Sequence, residues 1–128
     1  MADDVELKGG CNCGAVRYTV SAPPLVVAAC HCTLCRRQSG AAYSVNLIIL
    51  ASTMQIEGKL ASWDDRGTAS GAALAREFCG NCGSPIRSVP SATPKMVALK
   101  AGTLDDPSAH APAIHIWTAS KLPWVVIP

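Results

Sequence analysis

A chain of 128 residues, of which 49% are hydrophobic and 16% are charged, is expected to fold as one domain spanning 1–128. No apolar run approaches the roughly 20 residues that a membrane-spanning helix needs, so no membrane association is predicted. The N-terminus, Met-Ala-Asp-Asp, lacks the basic and apolar regions of a signal peptide. We therefore expect a cytoplasmic protein whose thiols stay reduced.

The predicted elements are mostly short strands separated by turn signals. In chain order, strands are expected at 15–20, 25–32, 43–50, 54–58, 60–63, 71–78, 85–89, 95–101 and 114–117. Glycines 9 and 10 predict a turn, and 54–58 with 60–63 predicts a hairpin. A turn or short helix is expected at 36–40, and a helix start or tight turn at 103–107. Helix propensity competes at 71–78, but the cysteine knuckle that follows favours a strand. This pattern predicts a mainly β protein.

The seven cysteines fall into three groups, which are 11 and 13, then 30, 32 and 35, then 79 and 82. An odd number of closely spaced cysteines in a reducing compartment is typical of metal ligands rather than disulfides. Two other interpretations stay open. One is a ribbon-type site formed by Cys32, Cys35, Cys79 and Cys82, and the other is a redox role for Cys32 and Cys35.

The preferred pairing joins Cys11 and Cys13 with Cys79 and Cys82 in a closed four-cysteine zinc site. Cys79 and Cys82 have the two-residue spacing of a zinc knuckle, and a glycine follows them. Cys11 and Cys13 are expected to project from the same face of a strand. A closed site leaves no position for substrate, so its predicted role is structural.

Cys30, Cys32 and Cys35 then form a three-cysteine zinc site with one open position, giving two zinc ions per chain. Cys30 and Cys32 are expected to share a strand face, with His31 turned away. Three thiolates leave a zinc ion with a net charge of −1, so it activates water poorly and suits a thiol better. Arg36 and Arg37 either offset this charge, hold an anionic substrate, or lie on the surface.

The sequence resembles the glutathione-dependent formaldehyde-activating enzyme family, which includes centromere protein V-like proteins. The matching stretches are Gly-Gly-Cys-Asn-Cys-Gly-Ala-Val-Arg-Tyr at 9–18, Cys-His-Cys-Thr-Leu-Cys-Arg-Arg at 30–37 and Glu-Phe-Cys-Gly-Asn-Cys-Gly-Ser at 77–84. Further matches lie at 100–105 and 115–117, so the resemblance covers nearly the whole chain.

This resemblance implies a β-tent, in which small antiparallel sheets meet around the zinc sites. It also implies that a structural zinc ion is bound by Cys11, Cys13, Cys79 and Cys82, and that the catalytic zinc ion is bound by Cys30, Cys32 and Cys35. The implied activity is that of a carbon–sulfur lyase resembling S-(hydroxymethyl)glutathione synthase, with a glutathione-like thiol and an aldehyde as partners. The alternative is a non-catalytic zinc-binding module that holds a protein partner.

Nucleic acid is not an expected partner. The formal charge of +2 changes by −3 when seven thiolates bind two Zn²⁺ ions, which brings the protein to about −1. The sequence also contains no basic stripe.

Overall fold

The computed structural model describes residues 6–67 and 71–128, and its regular structure is mainly β. The ten strands are β1 (Leu7–Gly10), β2 (Arg17–Val20), β3 (Val26–Cys30), β4 (Ser44–Leu50), β5 (Met54–Glu57), β6 (Leu60–Asp65), β7 (Leu74–Cys79), β8 (Pro85–Pro90), β9 (Met96–Lys100) and β10 (Ile114–Ile116). The helix α1 (Thr33–Ser39) and three 3₁₀ turns complete the described structure. The predicted mainly β class is confirmed.

The strands form two sheets. The smaller sheet has the order β1-β2-β5, and the larger has the order β10-β3-β4-β9-β8-β7-β6. All pairings are antiparallel except that of β10, which runs parallel to β3. The 3₁₀ turns lie at Ala51–Thr53, Ala101–Thr103 and Thr118–Ser120.

The hydrophobic core lies between the two sheets. Val16, Tyr18 and Val20 contribute from the smaller sheet and its preceding loop, and they pack in one cluster with side chains such as Leu47 and Leu99 of the larger sheet. Strand alternation explains this arrangement, because every second residue of each strand faces the same side. Few aromatic rings take part, so the core consists largely of aliphatic side chains.

The opposite face of the larger sheet carries buried polar side chains. The strand register brings Cys30 beside Ser44, and it continues the same face across the sheet as far as β7 and β6. The helix α1 lies against this face, since its Cys35 contacts Arg76 of β7. The buried polar residues on the face are Ser44, Asn46, Asp65, Arg76, Ser88 and Lys100.

Three local predictions are wrong. The segments 54–58 and 60–63 do not form a hairpin, because β5 pairs with β2 whereas β6 pairs with β7. Gly9 and Gly10 end strand β1 instead of forming a turn. The strand expected at 25–32 ends at Cys30, where the chain begins to turn into α1.

The strand expected at 71–78 is confirmed as β7, although residues 68–70 before it lie outside the described residues. No helix among the described residues is long and apolar enough to cross a membrane.

Candidate metal centres and the cleft between them

The first cysteine cluster joins two turns from distant parts of the chain. Cys11 and Cys13 lie between β1 and β2, while Cys79 ends β7 and Cys82 lies in the turn before β8. The four sulfurs all lie within 4.8 Å of one another, and Sγ of Cys13 is 3.6 Å from that of Cys11 and 3.8 Å from that of Cys79. Sulfurs about 2.3 Å from a tetrahedral zinc ion would be about 3.8 Å apart. The geometry fits a closed four-sulfur metal site.

The two turns share a backbone conformation that differs from the strand expected at Cys11 and Cys13. Cys11 and Cys13 do not share a strand face, because the residues between β1 and β2 form a turn. Gly14 follows Cys13 with φ +82°, and Gly83 follows Cys82 with φ +81°. Glycine adopts this left-handed conformation without steric penalty, so each turn can fold back and bring both of its sulfurs to one side.

Hydrogen bonds favour the thiolate form of two cysteines in this cluster, Cys11 and Cys82. The backbone N–H of Val16 donates to Sγ of Cys11 at 3.3 Å, and this bond lowers the pKa of Cys11. The hydroxyl of Ser84 lies 3.2 Å from Sγ of Cys82, and together with backbone hydrogen bonds from Ser84 and Cys13 it lowers the pKa of Cys82 to about 5. The thiolate is the form that binds metal, so these contacts prepare the cluster for an ion.

The second cluster forms where β3 gives way to α1. Cys30 is the last residue of β3, Cys32 is the N-cap of α1, and Cys35 lies in the first turn of the helix. Sγ of Cys30 lies 3.5 Å from Sγ of Cys32, and all three sulfurs are within 4.8 Å of one another. Sγ of Cys32 also accepts the backbone N–H of Cys35 at 3.2 Å. The expectation that Cys30 and Cys32 share a strand face is wrong, because the chain has already turned at Cys32.

The second cluster contains three cysteines and no fourth protein ligand among the described residues. Its spacing and thiolate chemistry fit a zinc ion with one coordination position left for another molecule. The structure therefore brings the cysteines together as four and three. It separates Cys32 and Cys35 from Cys79 and Cys82, so the ribbon-type grouping is wrong.

A buried cation supports the three-cysteine cluster. Both terminal nitrogens of Arg76 approach Sγ of Cys35, at 3.9 and 4.0 Å. Asp65 holds the guanidinium through Oδ2 at 3.1 and 3.2 Å, and Ser88 lies 3.3 Å from Nη1. The side chains of Arg76 and Asp65 are only 3% and 5% exposed. Because both charges are buried, the ion pair fixes the position of the guanidinium beside Cys35.

The protons within this cluster are shared unequally. A hydrogen bond from Cys30, with Cys32 and the charge of Arg76 contributing, lowers the pKa of Cys35 to about 4 against the opposing effect of burial. The same bond to Cys35, together with burial, raises the pKa of Cys30. Cys35 is thus the sulfur best prepared to be a thiolate before any ion binds.

His31 points away from the cluster, as predicted. It is fully buried, and its Nε2 lies 3.0 Å from Nδ1 of His115 on β10. The ring of Tyr43 packs against it with a centroid distance of 4.7 Å. Burial lowers the pKa of His31, so the imidazole is favoured in its neutral form. These contacts tie β10 to the start of α1.

A cleft of ≈ 400 Å³ lies between the two cysteine clusters. Asn12 and Ser84 line it near the four-cysteine cluster, while Ser39 and Tyr43 line it near the three-cysteine cluster. Lys100, which ends β9, also lines the cleft although it is only 6% exposed. Burial lowers the pKa of Lys100, whereas the charges of Cys35, Cys30 and Cys32 act in the opposite direction. The ammonium therefore lies within electrostatic reach of the three sulfurs.

The sequence comparison with family models matches residues 6–120 to the glutathione-dependent formaldehyde-activating enzymes. The chain belongs to this family. A protein of Halomonas elongata named "Putative glutathione-dependent formaldehyde-activating enzyme" is 30% identical over 126 residues, which cover 94% of this chain and 80% of the relative. The resemblance inferred from the cysteine motifs is confirmed.

A crystal structure of a Rhodobacter sphaeroides protein, a structural genomics target, has the same fold. Its TM-score is 0.64 at 22% identity, and the match covers 84% of this chain and 98% of the other. The region of this chain that matches the family model contains all seven cysteines.

The sequence motifs did not indicate which residues surround the three-cysteine cluster. Arg36 and Arg37 were expected to offset the charge of the cluster, to hold an anionic substrate or to lie on the surface. Neither forms a side-chain hydrogen bond or ion pair with any described residue, and Arg37 is exposed. Arg76 lies beside the cluster instead. Alternation in 71–78 places Arg76 on one strand face, but its burial depends on Asp65 of the neighbouring strand.

Proposed function

We propose that this protein is a zinc-dependent enzyme that joins a small-molecule thiol to an aldehyde, as a carbon–sulfur lyase of the S-(hydroxymethyl)glutathione synthase type. The carrying observation is the three-cysteine cluster, which lacks a fourth ligand among the described residues and lies beside a cleft lined by Lys100 and several hydroxyl groups. Family membership supports glutathione and formaldehyde as the substrate classes.

The reaction is a simple addition. The sulfur of the thiol forms a bond to the aldehyde carbon, the carbonyl π electrons move to oxygen, and the proton released by the thiol ends on that oxygen. Nothing is oxidised or reduced, so no further co-reactant is needed. The task of the protein is to hold the sulfur as a thiolate beside the carbonyl.

Cys30, Cys32 and Cys35 would hold the catalytic zinc ion, which when bound would keep a substrate thiol deprotonated at neutral pH. The chain's own residues prepare for this state. The backbone N–H of Cys35 donates to Sγ of Cys32, and the guanidinium of Arg76 approaches Sγ of Cys35, so each of these sulfurs faces a hydrogen-bond donor. The positive charge of Arg76, which is held in place, also offsets the negative charge of the three thiolates.

Cys11, Cys13, Cys79 and Cys82 would hold a second, structural zinc ion. This site ties the β1–β2 turn to the β7–β8 turn, and these segments come from different sheets. The proposed complement is therefore two zinc ions per chain. Since reduced thiols are essential to both sites, the cytoplasm remains the proposed location.

Metal analysis and a turnover assay test the proposal together. The purified protein should contain two zinc ions per chain, and Cys35→Ser should retain about one. NMR exchange measures the rate at which glutathione adds to formaldehyde and to a panel of other aldehydes. The wild-type protein should raise this rate above the uncatalysed rate, and Cys35→Ser should not. Full zinc content with no rate above background for any thiol and aldehyde would contradict the enzyme proposal and favour a non-catalytic zinc module.

A further inference from the structure

The cleft between the cysteine clusters is lined by a buried cation that has no role in the addition reaction described above. Lys100 is 6% exposed, and within 6–67 and 71–128 its ammonium has no hydrogen-bond or ion-pair partner. Arg76, the other buried cation on this face, is fully paired with Asp65. The side chain of Lys100 is thus largely enclosed while its ammonium has no partner of either kind, so the cleft that it lines is suited to an anionic group of a ligand.

The strand register explains why Lys100 stays unpaired. Its cross-strand neighbour is Asn46, which shares the same face of the sheet. Asn46 donates through Nδ2 to Ser44 at 2.8 Å, and its Oδ1 has no partner. The side-chain oxygen of Asn46 therefore does not accept a hydrogen bond from the ammonium.

The rest of the cleft is uncharged and combines apolar surface with several hydrogen-bonding groups. Its hydroxyl and amide groups come from side chains including Ser39, Tyr43, Ser84, Thr103 and Asn12. Among the residues that line it, Lys100 is the charged one. A complementary ligand is small, has several hydrogen-bonding groups and carries an anionic group for the ammonium.

We propose that Lys100 binds a carboxylate of the thiol substrate and makes the site selective for carboxylate-bearing thiols. This assignment rests on the proposed function, because the three-cysteine cluster near Lys100 would receive the sulfur of the same molecule. Lys100 is therefore a specificity-determining residue, and neutral thiols of equal size are poorer substrates.

Calorimetry with S-methylglutathione tests the carboxylate contact without a free thiol. The zinc-loaded wild-type protein should bind S-methylglutathione more tightly than its diethyl ester. Lys100→Met should weaken binding of the acid about 10- to 100-fold and leave binding of the ester unchanged. Lys95→Met is the matched control, because Lys95 precedes the other end of β9 and is exposed. Lys100→Arg keeps the charge and should retain the preference for the acid.

Kinetics separates this assignment from the proposed function. With 3-mercaptopropionate and its uncharged amide as thiols, Lys100→Met should raise KM for the acid alone. An equal loss of turnover with both thiols, or a wild-type protein that does not distinguish acid from ester, overturns the assignment of Lys100. If no thiol is turned over, the proposed function fails, and the calorimetric comparison still decides whether Lys100 binds the carboxylate.

Discussion

Replacing Arg76 by Met tests the buried ion pair behind the three-cysteine cluster. The change removes the cation and leaves the Asp65 carboxylate, 5% exposed, without its partner. Breaking a buried pair by removing one member costs about 3–5 kcal/mol. For a domain of this size that loss corresponds to a fall in Tm of roughly 10–20 °C. Urea denaturation of the zinc-loaded protein measures the change in unfolding free energy.

The chain offers a matched control on the neighbouring strand. Arg87 of β8 forms an ion pair with Glu77 at 2.6 Å, but these side chains are 20% and 21% exposed. Partly exposed pairs contribute about 0–1 kcal/mol, so Arg87→Met should be much milder than Arg76→Met. Equal destabilisation by the two variants would refute the argument from burial.

A double variant separates fold stability from support of the metal site. Arg76→Met with Asp65→Asn removes both charges and keeps a side-chain oxygen for the N–H of Gly67, which Asp65 Oδ1 accepts at 3.1 Å. Much of the lost unfolding free energy should return, because no buried charge is left unpaired. Zinc affinity at the three-cysteine cluster should stay about 10- to 100-fold weaker, since Cys35 still lacks its cation. Recovery of full zinc affinity in the double variant would show that Arg76 acts only through the fold.

Two further predictions concern the closed site and the core. Cys79→Ser should lower Tm far more than Cys35→Ser, because a closed structural site contributes folding free energy directly, and similar Tm values for the two variants would contradict the division of roles. Burial raises the pKa of Tyr18 to about 12 against the opposing hydrogen bond to Thr103, so the folded state favours the protonated phenol. The protonated phenol therefore contributes fully to the unfolding free energy below about pH 10, and this contribution is lost as pH rises towards 12. Relative to Tyr18→Phe, the wild-type protein should lose about 2–3 kcal/mol of unfolding free energy over that interval, and parallel pH profiles would show that the phenol is not protected.

The sequence predicts local strands well because alternation and turn residues act over a few neighbours. It fails at 54–63, where both segments are strands but the pairing is not local. Met54 is buried in the core cluster while β6 extends along β7 in the other sheet. The alternation of a strand does not specify which sheet it joins, so adjacency along the chain wrongly predicted a hairpin.

The cysteine grouping was predictable, whereas the local geometry at Cys32 was not. Spacing alone indicated four and three cysteines, and the structure brings those groups together. The start of α1 was missed because its cap is a sulfur, which accepts the N–H of Cys35 at a position where Ser, Thr, Asp or Asn is usual. Arg76 and Lys100 were missed because their burial depends on strands distant in sequence.

Zinc-edge X-ray absorption, recorded with and without glutathione, tests the central claim most directly. Seven cysteine sulfurs shared between two zinc ions give a mean of about 3.5 sulfurs per ion, at about 2.3 Å. Glutathione should raise that mean to about 4 as its sulfur takes the open position. A mean of 3.5 that glutathione leaves unchanged would show that the three-cysteine cluster does not bind the thiol, and the proposed chemistry would fail.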